Sequence, residues 1–215
     1  MIQQLVTKPR YFFKEQTKYP GSRTQMFLVT AIGIAFALAH VGIYSRMGEH
    51  APGYYEVIAI HTAVFVSVPF LIWIGGTVLM AVLSRIISRG LLIGELFRLT
   101  GWGIYPLLAA GLIQSAGRIY AVEGTEPPEL GLTPHLSFVW EQYRVYLETA
   151  NSDPVFLVAT AIAILLALYA GYLWTVAVEE LAAFDNTTIS RPKAIAIAAV
   201  PTAMCLLFIA SPFLF

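Results

Sequence analysis

The sequence predicts an all-α polytopic membrane protein: a bundle of five transmembrane helices with an interfacial helix in an outer loop. Three observations predict it. Charged residues make up 12% of the 215 positions and hydrophobic ones 58%, with a mean hydropathy of +0.71, whereas a soluble domain carries about 25% charge. Five apolar runs are long enough, or nearly so, to cross a hydrocarbon layer of roughly 30 Å at about 1.5 Å per residue. Basic residues gather in alternate connections between those runs. The formal net charge is zero, which leaves no electrostatic footprint for nucleic acid. The expected partner is the lipid bilayer. The single cysteine, Cys205, lies in an apolar run and can form no internal disulfide.

Two regions follow: residues 1–25, a basic and aromatic segment, and residues 26–215, the five-span membrane domain. The first holds Lys8, Arg10, Lys14, Lys18 and Arg23 with one acid, Glu15. Ile2, Leu5, Val6, Tyr11, Phe12 and Phe13 are interleaved with them. That pattern suits a segment lying on the membrane surface, rings in the interface and cations toward lipid phosphates. It equally suits a solvated flank that only sets topology. A cleavable leader does not fit, because the polar lead is long and the next apolar run has the length of a span.

The spans are predicted at about 26–43, 57–83, 96–115, 155–178 and 194–215. The third follows a charged entry, Glu95 and Arg98, and is interrupted by Gly101, Gly103 and Pro106. A proline inside a helix removes a backbone bond and kinks it. In lipid the freed carbonyl must find a partner within the protein, so this helix is expected at the centre of the bundle. Asp153-Pro154 makes a good start for the fourth span. Ser190 is placed to cap the fifth, with Pro192 in its first turn.

Topology follows from charge. One side collects Lys8, Arg10, Lys14, Lys18, Arg23, Arg85, Arg89, Arg98, Arg191 and Lys193; the other has Arg46, Arg118 and Arg144. The rule that cationic loops stay inside puts the amino terminus in the cytoplasm and the carboxyl terminus outside the cell membrane. The outer loop 117–154 begins with a proline-broken stretch (Pro127, Pro128, Pro134). From 136 to 150, Leu136, Val139, Trp140, Tyr143, Tyr146 and Leu147 recur at helical spacing. Such a face suits the outer membrane interface. The rival placement is a cover over the bundle's outer mouth.

Small residues recur every four positions in three spans. They are Ala31, Ala35 and Ala39; Ala159, Ala163, Ala167 and Gly171; and Ala194 and Ala198. Lipid tails are as apolar as leucine, so membrane helices associate through close backbone approach, which small residues permit.

No Asp, Glu, Lys or Arg is expected deep within a span, which argues against an ion-coupled transporter. His40 and His61 fall at the outer ends of the first two spans, with Glu49, His50 and Glu56 in the loop between. That grouping could form a divalent metal or haem environment at one membrane level. It matches no compact ligand motif, and interfacial histidines also serve as plain polar anchors. No nucleophile, phosphate-loop or dinucleotide motif occurs. Ser190 to Lys193 reads Ser-x-x-Lys, better explained as a helix start with lysine at the headgroups. No catalytic residue and no cofactor is expected.

Three stretches carry a family resemblance. Residues 6–13, Val-Thr-Lys-Pro-Arg-Tyr-Phe-Phe, contain Pro9, Phe12 and Phe13 as Pro-x-x-Phe-Phe. The third-span entry has Glu95, Arg98, Gly101 and Pro106, and residues 189–194 read Ile-Ser-Arg-Pro-Lys-Ala with Ser190 and Lys193. Together the chain resembles the Yip domain family, whose name refers to Ypt/Rab-interacting proteins, in its short bacterial or archaeal form. The resemblance implies a small helical membrane protein without enzyme activity. Membrane shaping and GTPase contact are ascribed to eukaryotic members. This chain departs from them in having no long cytoplasmic amino-terminal region and no Asp-Leu-Tyr-Gly-Pro motif, which puts GTPase binding in doubt.

The first functional expectation is therefore a scaffold that organises lipid or partner membrane proteins, copies of itself included. A second is a permeation subunit for a small neutral or lipid-like solute, suggested by the broken third span. A third is the metal or haem site at His40, His50 and His61.

Overall fold

The structure is a computed structural model that describes residues 2–18, 22–47, 54–88, 90–125, 136–185 and 187–213. Arg89, the prolines at 127, 128 and 134, and residues 214–215 lie outside them, as do the side chains of Leu136, Val139 and Trp140. The described residues are mostly helical, with no strand among them. In order the helices are α1 (Ile2–Thr7), α2 (Pro9–Gln16), α3 (Arg23–Met47), α4 (Tyr54–Ile87), α5 (Ile93–Gly103), α6 (Pro106–Ala121), α7 (Leu136–Ser152), α8 (Pro154–Phe184) and α9 (Arg191–Ala210). A 3₁₀ turn, Ser211–Phe213, follows α9.

Five segments are long and apolar enough to cross a membrane: Arg23–Ser45, Ile58–Ile87, Ile93–Ala121, Pro154–Phe184 and Arg191–Phe213. Most helices run past the apolar limits read from sequence. A helix end is set by backbone bonding, which continues through polar residues; hydropathy fades at the first charge. The largest difference is in the third span, which continues beyond Ser115 through Arg118 to Ala121.

Local chemistry explains the starts and breaks. Asp153 caps α8 by accepting from the Val155 amide at 2.7 Å, and Pro154 takes the first helical position. Ser190 occupies the corresponding position before α9, but its side chain makes no capping bond. Between α5 and α6 the chain tightens into i+3 bonds: Tyr105 N–H donates to Trp102 at 3.2 Å and Leu107 N–H to Ile104 at 2.9 Å. An unbroken helix would send the Trp102 carbonyl to residue 106, where proline has no N–H. The i+3 bond satisfies that carbonyl locally.

The long helices close a ring: α3 packs on α4, α4 on α9, α9 on α8, α8 on α6, and α6 back on α3, with α5 against α4 and α8. Small residues sit where backbones come closest. A Cβ added at Gly33 would lie 2.6 Å from the Val66 carbonyl oxygen, between α3 and α4. One added at Gly111 would meet Ala35 at 3.0 Å, and at Gly117 it would meet Ala159 at 2.6 Å. Gly171 faces Thr202 of α9 in the same way. Ala35, Ala39, Ala159, Ala163, Ala167, Ala194 and Ala198 are buried, and Ala31 is half-buried. The lipid-facing sides carry large apolar groups such as Phe27, Leu71, Leu165 and Leu207, all strongly exposed.

The amino-terminal segment is packed against the bundle. Leu5, Phe12 and Phe13 are buried in the main core, and α2 packs on α8. Phe12 meets Trp102 edge-on at 5.4 Å. Arg10 bridges Glu179 at 2.5 Å and Glu180 at 3.3 Å, at the far end of α8. Tyr11, Ile2 and Val6 remain exposed. The segment is thus docked by one face only.

The Gly33 contact gives a stability test. Gly33→Ala must push α3 from α4 against backbone atoms and should cost roughly 1–3 kcal/mol. Gly94→Ala meets nothing within 4 Å and should be neutral or gain up to about 1 kcal/mol from helix propensity. Thermal unfolding in detergent compares them; equal midpoints would refute the close approach of α3 and α4.

Candidate functional site

At the end of the bundle that carries α7, polar groups from four helices converge. The Tyr143 hydroxyl is hydrogen-bonded to His40 Nδ1, and the Tyr44 hydroxyl to His61 Nδ1. Tyr44 and Tyr143 stack with ring centroids 4.7 Å apart and planes 7° from parallel. The imidazoles of His40 and His61 stack at 5.9 Å, and Phe65 lies 3.6 Å from His40. This knot seats α7 on the bundle. Tyr143 and Tyr146, two residues of the face expected on lipid, are buried against protein, as is Ala150. Burial pushes the Tyr143 phenol above its ordinary range, and the neighbouring Arg118 guanidinium pulls it partly back.

Beside the knot lies a cavity of about 840 Å³ bounded by α3, α4, α6, α7, α9 and the 3₁₀ turn. Its lining is mixed. Phe36, Phe65, Phe208 and Leu147 make an apolar wall, with Phe36 edge-on to Phe208 at 4.8 Å. His40, His61, Gln114, Arg118, Tyr143 and Asn151 supply polar groups.

Helix α6 places the polar side. Gly111, Gln114, Ser115 and Arg118 share one face at three- and four-residue steps, and all are buried. Ser115 Oγ donates to the Ala35 carbonyl at 2.6 Å and accepts from the Ala39 amide at 3.2 Å, which stitches α6 to α3. Gln114 Nε2 donates to the Ile209 carbonyl at 3.0 Å and to Thr160 Oγ1 at 3.3 Å. Arg118 is 5% exposed, and its guanidinium carbon sits 4.6 Å over the Phe156 ring. Its Nε and Nη2 find no hydrogen-bond partner among the described residues; nor does Asn151 Oδ1.

Arg118, expected in the outer loop, lies instead in the last turn of α6 and is buried. The expected third helix stops at the last strongly apolar run, leaving Arg118 in a loop. Continuing the Gly111, Gln114, Ser115 spacing one step further would have placed it on the buried face.

The structure brings His40 and His61 together, while His50 and Glu49 lie outside the described residues and Glu56 is exposed. Among the described residues no three His, Cys, Asp or Glu side chains group to hold a metal ion. The kink residues are elsewhere: Gly101 abuts Gln25 and Trp73, Gly103 abuts Trp174, and Pro106 is buried. Trp73 and Trp174 donate to the Phe97 and Thr100 carbonyls, each at 2.9 Å. Glu95 and Arg98 face each other at 3.5 Å, Lys193 Nζ donates to the Ile87 carbonyl at 3.2 Å, and Pro9 opens α2. None of these lines the cavity.

A double-mutant cycle on the knot should read its coupling. Tyr143→Phe leaves a buried imidazole nitrogen without its hydroxyl partner, whereas His40→Phe with Tyr143→Phe removes both ends. The pair should show a coupling of about 1 kcal/mol in thermal unfolding; additive losses would mean that the bond contributes nothing to holding α7.

The family model of the Yip1 domain matches residues 4–211. No curated protein and no solved structure matches the chain. The match runs from within α1 to the first residue of the 3₁₀ turn, so it takes in α2, the broken third span and the cavity lining except Pro212. The chain belongs to the Yip1 domain family of membrane proteins.

Proposed function

We propose that this protein is a non-enzymatic membrane organiser that holds a lipid-like amphiphile in the cavity beneath α7 and so gathers lipid or partner membrane proteins around it. The observation that carries the reading is the mixed lining of the cavity. Aromatic side chains together with buried polar groups suit a molecule with an apolar chain and a polar head. The volume lies within the usual range for small-ligand sites, roughly 300–1,000 Å³. The strongly exposed apolar side chains around the helices suit direct contact with acyl chains.

A permeation role draws less support. The broken third span, its motivation, is packed against Trp73 and Trp174, and its kink residues do not line the cavity. The same proposal puts α1 and α2 on the cytoplasmic side and α7 outside, because the basic residues gather at the end of the bundle that bears α1 and α2.

Protein extracted in mild detergent should retain a stoichiometric lipid, detected by native mass spectrometry. Leu147→Trp, which enlarges a cavity-lining side chain, should lower the retained amount. In liposomes the protein should release no trapped solute; release that Pro106→Leu abolishes would replace the organiser reading with permeation. A tag following Phe215 should be reachable from outside intact cells, and access from the cytosolic side alone would reverse the orientation.

A further inference from the structure

Among the described residues no carboxylate pairs with the buried guanidinium of Arg118. Its Nε and Nη2 find no hydrogen-bond partner among those residues, and the Phe156 ring supplies one face of weak attraction. Among the described residues Glu148 is the one carboxylate that lines the cavity. It stands at an exposed position and pairs with Arg144 at 3.1 Å. His40 and His61 direct Nδ1 to tyrosine hydroxyls, and Gln114 gives its amide hydrogens to Ile209 and Thr160. A buried guanidinium left unpaired is unfavourable, and its fork of N–H donors matches a carboxylate or phosphate. The aromatic wall of Phe36, Phe65 and Phe208 belongs to the same cavity.

We propose that the cavity takes the anionic head of a membrane lipid, a phosphate or carboxylate, with Arg118 as its counter-ion and the acyl chain along the aromatic wall. This rests on the lipid-holding reading above and specifies the charge of the lipid it selects. Arg118 here is a binding residue. Asn151 lines the same cavity, and its Oδ1 is a buried acceptor with no donor among the described residues.

The test uses the full chain, delipidated in neutral detergent, with three probes. Lysophosphatidate with one oleoyl chain carries the charge and the tail. Monooleoylglycerol carries the tail without the charge, and glycerol 3-phosphate carries the charge without the tail. Binding is followed by native mass spectrometry and by the thermal midpoint. Lysophosphatidate should bind about tenfold or more tightly than monooleoylglycerol, in keeping with a charge-assisted hydrogen bond in a water-poor site. Glycerol 3-phosphate should bind far more weakly than either. In Arg118→Gln the two lipids should bind alike, while the ligand-free midpoint stays the same or rises because an unbalanced buried charge is gone.

Equal binding of the two lipids to the unaltered protein would overturn the anionic head and leave the lipid-holding reading standing. Binding of neither lipid would overturn both. Glycerol 3-phosphate binding as tightly as lysophosphatidate would make this a site for soluble anions and overturn the lipid occupant. A ligand-free midpoint that falls in Arg118→Gln, with the preference for lysophosphatidate kept, would mark the arginine as structural and overturn its role as counter-ion.

Discussion

The architecture depends on how closely α6 approaches its two neighbours. Without water to drive apolar surfaces together, helices in lipid gain cohesion from packing density and interhelical hydrogen bonds. Gly111 lets α3 come up to α6, and Gly117 does the same for α8 on the opposite side. At that separation the Ser115 hydroxyl reaches the α3 backbone. Even a Cβ at Gly111 would press on α3, and one at Gly117 on α8. The polar face of α6 is then held at fixed depth, and Gln114 and Arg118 are committed to the interior.

A second consequence of the hydrocarbon setting shows in the third span. Its break costs backbone bonds, and the protein recovers them locally. The Trp102 carbonyl turns to Tyr105, and the Thr100 carbonyl accepts from both Ile104 and Trp174. Gly103 leaves the space that the Trp174 ring occupies, so the glycine and the tryptophan form one device. Phe12 packs on Trp102, and through it the amino-terminal helices join this region. The kink is therefore a packed joint between the amino-terminal helices and the ring.

Much of this was legible in the sequence because hydropathy reports one physical quantity, transfer into lipid. It marks five spans well and their ends poorly. Arg118 escaped for that reason: polarity ended the expected helix before the backbone did. The docked face of α2 escaped for another. Phe12 and Phe13 among Lys8, Arg10 and Lys14 read the same whether the rings meet headgroups or protein. What decides is Glu179, Glu180 and Trp102, distant in sequence and near only in the fold. The same ambiguity covered α7, whose tyrosines suit an interface and a histidine pair equally well. His40 and His61 could be placed at one level from topology alone; their tyrosine partners could not.

The Arg118 site also shows why an apparently costly arrangement persists. A lysine there would hold a compact, strongly hydrated charge away from water. A guanidinium is more weakly hydrated and can rest its face on a ring. Phe156 provides that rest at 4.6 Å. The helix cannot rotate to relieve the charge, because Gly117 is locked against Ala159 one residue earlier. Among the described residues the one carboxylate at the cavity, Glu148, faces Arg144. The Phe156 ring offsets part of the desolvation, and Nε and Nη2 stay without a partner among those residues. A fold that maximised its own stability would place an apolar residue at this point. Keeping a charge there gives up some of that stability in exchange for a directed set of donors, held before any ligand arrives.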